Sequence, residues 1–96
     1  MRYTKLCCAV AVLLFSSWLH AGQEEFDDCM LAHLKDSKHD IATHLIRQAC
    51  YENYKNPSFT SDKRKAYNTC LLKHLVGVES FEAVMEINAA CSRKYR

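Results

Sequence analysis

The chain has very few of the residues that bend a backbone sharply. Pro57 is the one proline, and Gly22 and Gly77 are the two glycines. With so little glycine there is no loop of the kind that cradles a phosphate or a dinucleotide. Cys-x-x-Cys is absent, which disfavours thiol–disulfide exchange of the thioredoxin kind. Cys-x-x-Cys-His for covalent haem and His-Glu-x-x-His for a zinc hydrolase are absent as well. The adjacent acids Glu24 and Glu25, and Asp27 and Asp28, would diverge on a helix instead of facing one substrate. A serine nucleophile needs a positioned base and an oxyanion hole, and nothing in the sequence suggests either. Enzymatic activity is therefore not expected, and no cofactor is implied.

A surplus of one charge is also missing. The 13 basic and 11 acidic residues give a net +2, and Arg2 and Lys5 account for that difference. Residues 22–96 thus balance, whereas a nucleic-acid binder would need excess basic residues to meet phosphates. The charges are unevenly placed: Glu24, Glu25, Asp27 and Asp28 crowd one end, while Lys63, Arg64, Lys65, Arg93, Lys94 and Arg96 lie later. The acidic group suits a helix N-terminus, where negative charge meets the macrodipole.

No apolar run is long enough to span a bilayer. Leu6 to Leu19 falls short of the roughly 20 residues that a spanning helix requires. Flanked by Arg2 and Lys5 and followed by the small Ala21, it has the form of a secretory signal peptide over residues 1–21. Cleavage there would leave residues 22–96 as one domain with no stable membrane insertion. No Leu-x-x-Cys lipobox precedes Cys7, Cys8 or Cys29, so a lipid anchor is not expected.

What remains is a chain written twice. A shift of 41 residues lays Cys29 on Cys70 and Cys50 on Cys91 without a gap. Leu31, His33, Leu34, Ala42, Ile46, Ala49 and Tyr54 then fall on Leu72, His74, Leu75, Ala83, Ile87, Ala90 and Tyr95. Phe26, Cys29, Met30, His33 and Leu34 sit at i, i+3, i+4, i+7 and i+8, and Tyr67, Cys70, Leu71, His74 and Leu75 repeat the spacing. Each set is the apolar stripe of an amphipathic helix. A break follows in each copy, at Asp36–His39 and at Gly77–Ser80. Gly77 is placed to take a left-handed conformation past a helix end, and Ser80 to cap the next helix. Ala42, Leu45, Ile46, Ala49 and Cys50, then Val84, Ile87 and Cys91, form the inner faces of the returning helices. Lys55 to Ser58 separates the copies, and a helix resumes at Ser61.

The expected fold is all-α: two tandem disulfide-stapled helical hairpins forming a four-helix domain, with repeats at about 25–54 and 61–95. Four cysteines in an exported chain read as two disulfides, useful to a domain too small to rest on its core alone. Both cysteines of a copy lie about ten residues from its bend, so an antiparallel hairpin brings them together. Cys29–Cys50 with Cys70–Cys91 is the preferred pairing, and Cys29–Cys91 with Cys50–Cys70 is the competitor.

The stretch from Phe26 to Tyr54 resembles a four-cysteine family of small exported bacterial proteins. The resemblance rests on Asp28-Cys29 with Leu31, then Ala42, then Ile46-Arg47-x-Ala49-Cys50 followed by Tyr51; it departs at His33 and Asp36, where the family carries asparagine and glycine. It implies export, four paired cysteines and a helical fold, and it carries no activity, ligand or catalytic residue.

Functionally, the sequence points to a binding or interaction module of the periplasm or cell envelope, or a secreted one. Its partner would be another envelope or secreted protein, met through Tyr51, Tyr54, Phe59 and Tyr95, since aromatics anchor interfaces. One alternative is a metal or tetrapyrrole binder using His33 and His74, with His44 as a third candidate. Another is a small secreted inhibitor or effector.

Overall fold

Three helix starts are written into the sequence as side-chain caps. In the computed structural model, which describes residues 22–95, the Ser61 hydroxyl accepts the Arg64 amide and the Ser80 hydroxyl accepts the Ala83 amide, each at 3.1 Å. The third cap is His39, whose Nδ1 accepts the Ile41 amide at 3.1 Å. Each fills one of the donors that a helix N-terminus leaves without a partner.

The elements run α1 (22–34), α2 (Asp40–Cys50), α3 (Asp62–His74) and α4 (Phe81–Lys94), with no strand among the described residues. The expected signal peptide, 1–21, lies outside the described residues. Gly77 takes the expected left-handed conformation, with φ +83°, in the bend between α3 and α4. Between the copies the chain does more than turn at Pro57. It passes from α2 into a π-helical turn, Tyr51–Lys55, and then a 3-10 turn, Pro57–Phe59. The Asn56 amide reaches five residues back to the Tyr51 carbonyl. That wider ring re-aims the side chains after Cys50, so that Glu52 and Asn53 face α3.

The disulfides are Cys29–Cys50 and Cys70–Cys91, with Cα atoms 5.7 and 5.8 Å apart. Each joins the two helices of one hairpin, as the repeat implied. By chain entropy a loop of this length stabilises the fold by about 3 kcal/mol. Ala42, Ile46 and Ala49 from α2, Leu71 and Leu72 from α3, Leu75 at its C-cap and Val84 from α4 form one apolar core with Cys29, Cys50 and Cys91. Helix α3 lies against both α2 and α4. Equivalent residues of the two copies therefore meet different surroundings: Leu72 on α3 is 7% exposed, and its counterpart Leu31 on α1 is 73% exposed.

Candidate functional site: the grooves of the two hairpins

A polar seam joins the hairpins, and its Arg64 also lines one of two grooves. Glu52 Oε1 accepts Arg64 Nε at 2.7 Å and Asn68 Nδ2 at 2.9 Å. Asn68 also donates to Asn53 Oδ1 at 3.0 Å, and the Thr60 hydroxyl donates to the Glu52 and Asn56 carbonyls. Burial pushes the Glu52 carboxyl up, but the Arg64 and Asn68 hydrogen bonds and the Arg64 charge outweigh it and hold the group below the usual carboxylate range. The Glu52 hydrogen bond raises the Arg64 guanidinium in turn.

The first hairpin carries a groove of about 460 Å³ between α1, α2 and the π-helical turn. Phe26 and Tyr51 form one wall, their rings edge to face at 6.2 Å. His44, Arg47 and Lys55 line the rest with Gln48, and no carboxylate lines it. Lys55 Nζ donates to the neutral Gln23 Oε1 at 2.7 Å, which leaves its charge uncompensated there. The groove thus offers two aromatic faces beside two cations and an exposed imidazole.

The matching place in the second hairpin is a smaller groove, about 320 Å³, lined by Lys63, Arg64, Tyr67, Asn88, Ser92 and Tyr95. Here Tyr67 stands for Phe26 and Asn88 for Arg47. The Tyr67 hydroxyl donates to Asn88 Oδ1, and the Arg64 guanidinium stacks over the Tyr67 ring at 4.7 Å. Burial, reinforced by the Glu52 charge, raises the Tyr67 phenol against the opposing pull of Arg64. Arg64 and Asn88 are thus already partnered within the chain, whereas Arg47 and Lys55 have no carboxylate beside them. In the sequence Arg47 stands out only as part of the family motif and Lys55 only as the start of the link between the copies, neither as a groove cation; the shared aromatic position at Phe26 and Tyr67 hints that the two places correspond.

The expected surface aromatics separate. Tyr51 lines the first groove and Tyr95 the second, while Phe59 projects from the 3-10 turn at 88% exposure. Tyr54 is exposed on the π-helical turn. The histidines scatter too. His33 donates from Nδ1 to the Cys29 carbonyl at 2.8 Å, His44 is exposed in the first groove, and His74 is exposed beside Cys70. Ligand atoms of Cys29, His33 and Cys50 lie within 4.8 Å of one another. Two of these are the sulfurs of one disulfide, so neither is a thiolate able to bind a metal.

Tandem helical hairpins, each closed by its own bridge and packed through a polar seam, define a small disulfide-stapled helical domain. The chain belongs to the four-cysteine protein VF_A0006-like family, which it matches over residues 6–95. No curated protein and no solved structure matches it.

Proposed function

We propose that this protein is a disulfide-stabilised binding module of the periplasm or cell envelope, acting by association and not by catalysis. The observation that carries the reading is the first groove, where Phe26 and Tyr51 stand beside Arg47 and Lys55 with no carboxylate lining it. Such a site suits a polypeptide segment that joins an apolar side chain to a carboxylate. The apolar group covers the rings, and the carboxylate meets the guanidinium in a charge-assisted hydrogen bond. Two structural disulfides fit an oxidising compartment. Among the described residues no helix is long and apolar enough to cross a membrane.

Photo-crosslinking in the native host tests the reading. With a benzophenone amino acid at Tyr51, a discrete protein adduct is expected in the envelope fraction, and Arg47→Glu should abolish it. Absence of an adduct, or one indifferent to Arg47→Glu, rejects this groove as the binding site.

A further inference from the structure

The internal repeat shows which faces of each hairpin are meant to be covered, because one copy of each contact is made within the chain. On α2 the stripe Ala42, Ile46, Ala49 is fully buried, and α3 lies against this helix. Its counterpart on α4 is open: Ala83 and Ile87 are partly buried and Ala90 is exposed. On the side of α3 that meets the first hairpin lie Lys65, Asn68 and Thr69, with Leu72 one turn beyond Asn68 and buried in the shared core. There Asn53 Nδ2 reaches the Lys65 carbonyl and the Thr69 hydroxyl, and Asn68 bonds Glu52 and Asn53. Its counterpart on α1 is Glu24, Asp27, Asp28 and Leu31, all exposed. The two unmade halves are visible as grooves. One of about 300 Å³ runs over Ile87, Ala90 and Lys94 beside His74, and one of about 240 Å³ runs along Gln23, Glu24, Asp27 and Asp28.

Charge says what fits them. Carried forward by one repeat, Glu52 and Asn53 become Arg93 and Lys94 on the α4 side. Carried back by one repeat, Lys65, Asn68 and Thr69 become Glu24, Asp27 and Asp28 on the α1 side. The polar seam that joins the hairpins would thus become a seam of cations against carboxylates. Within the chain these groups have weak partners: Asp27 accepts the Gln23 amide at 2.8 Å, and Lys94 Nζ lies 5.6 Å from the Tyr95 ring centroid.

We infer that a second copy of this chain docks its α1 face on the α4 face of the first, continuing the internal repeat from one molecule to the next. The contact buries Leu31 against Ile87 and Ala90, and sets Arg93 and Lys94 against Glu24, Asp27 and Asp28. It is heterologous, since each molecule gives a different face. Assembly therefore runs head to tail, into a ring or an open string, as stacked repeat proteins do to bury faces a single unit leaves bare. The first groove takes no part, so this inference stands apart from the binding reading.

Sedimentation of the oxidised protein, produced from the full-length chain, tests it. Mass should rise with concentration beyond that of a dimer, and raising salt from about 0.05 to 0.5 M should shift it back towards monomer. Leu31→Arg and Ala90→Arg change exposed positions, and each alone should sediment as a monomer. Mixed in equal amounts they should give a dimer and nothing larger, because each retains the face the other has lost. Arg47→Glu should leave assembly unchanged. A wild-type protein that stays monomeric up to millimolar concentration overturns the inference. So does assembly that survives both substitutions, or a mixture that stays monomeric.

Discussion

Asn68 gives amide hydrogens to two acceptors across the hairpin boundary, Glu52 Oε1 at 2.9 Å and Asn53 Oδ1 at 3.0 Å, from a side chain almost wholly removed from water. A buried polar group costs little while its partners are present and much when one is lost. Asn68→Asp removes the donors and sets a second carboxyl beside Glu52. We expect a loss of about 2–3 kcal/mol in chemical unfolding at neutral pH, partly regained in acid as the new carboxyl protonates. A loss below the error of the measurement would reject the seam as a structural joint.

Glu52 should shape the acid limb of stability. Its folded pKa is depressed, so its contribution is fully present above the unfolded carboxylate range and fades as pH falls through the lower folded value. With Arg64 partly exposed, the pair is worth about 1 kcal/mol. Glu52→Gln should therefore lower stability at pH 7 by about that amount and flatten the decline below about pH 4, measured as urea midpoint against pH.

The two bridges should differ towards reductant. Cys29 and Cys50 are both buried, whereas Cys70 is partly exposed in a groove with Lys73, His74 and Lys94. Thiolate attack needs access to a sulfur. Brief treatment with dilute dithiothreitol, then alkylation and peptide mapping, should label Cys70 and Cys91 before Cys29 and Cys50. Equal labelling would contradict the asymmetry of burial.

Gly77→Ala isolates a backbone cost. A Cβ built at this position meets nothing within 4 Å, yet φ is +83°. The expected penalty is about 1 kcal/mol, arising wholly from the left-handed conformation, and thermal unfolding reads it directly.

Much of this architecture is legible in the amino-acid pattern alone. The doubled cysteine spacing gives the hairpins and favours the observed pairing over Cys29–Cys91 with Cys50–Cys70; Ser61, Ser80 and Gly77 mark helix ends because their chemistry acts locally. The π-helical turn is not legible, since Tyr51–Lys55 continues the helical pattern and its extra residue is set by where Glu52 and Asn53 meet α3. Nor does the pattern tell Leu31 from Leu72. Identical residues in identical registers differ only in which neighbour packs on them, and that depends on the order of the helices in space. The first groove is hidden from the sequence for a related reason: Arg47 and Lys55 matter through the absence of a nearby carboxylate, a property of the assembled surface.

Pairing of neighbouring cysteines among the four has a consequence for how the molecule is made. Synthesis runs from the N-terminus, so Cys29 and Cys50 exist before Cys70 and Cys91 are added. Among these four, links made in order of arrival are the native ones, Cys29–Cys50 and then Cys70–Cys91.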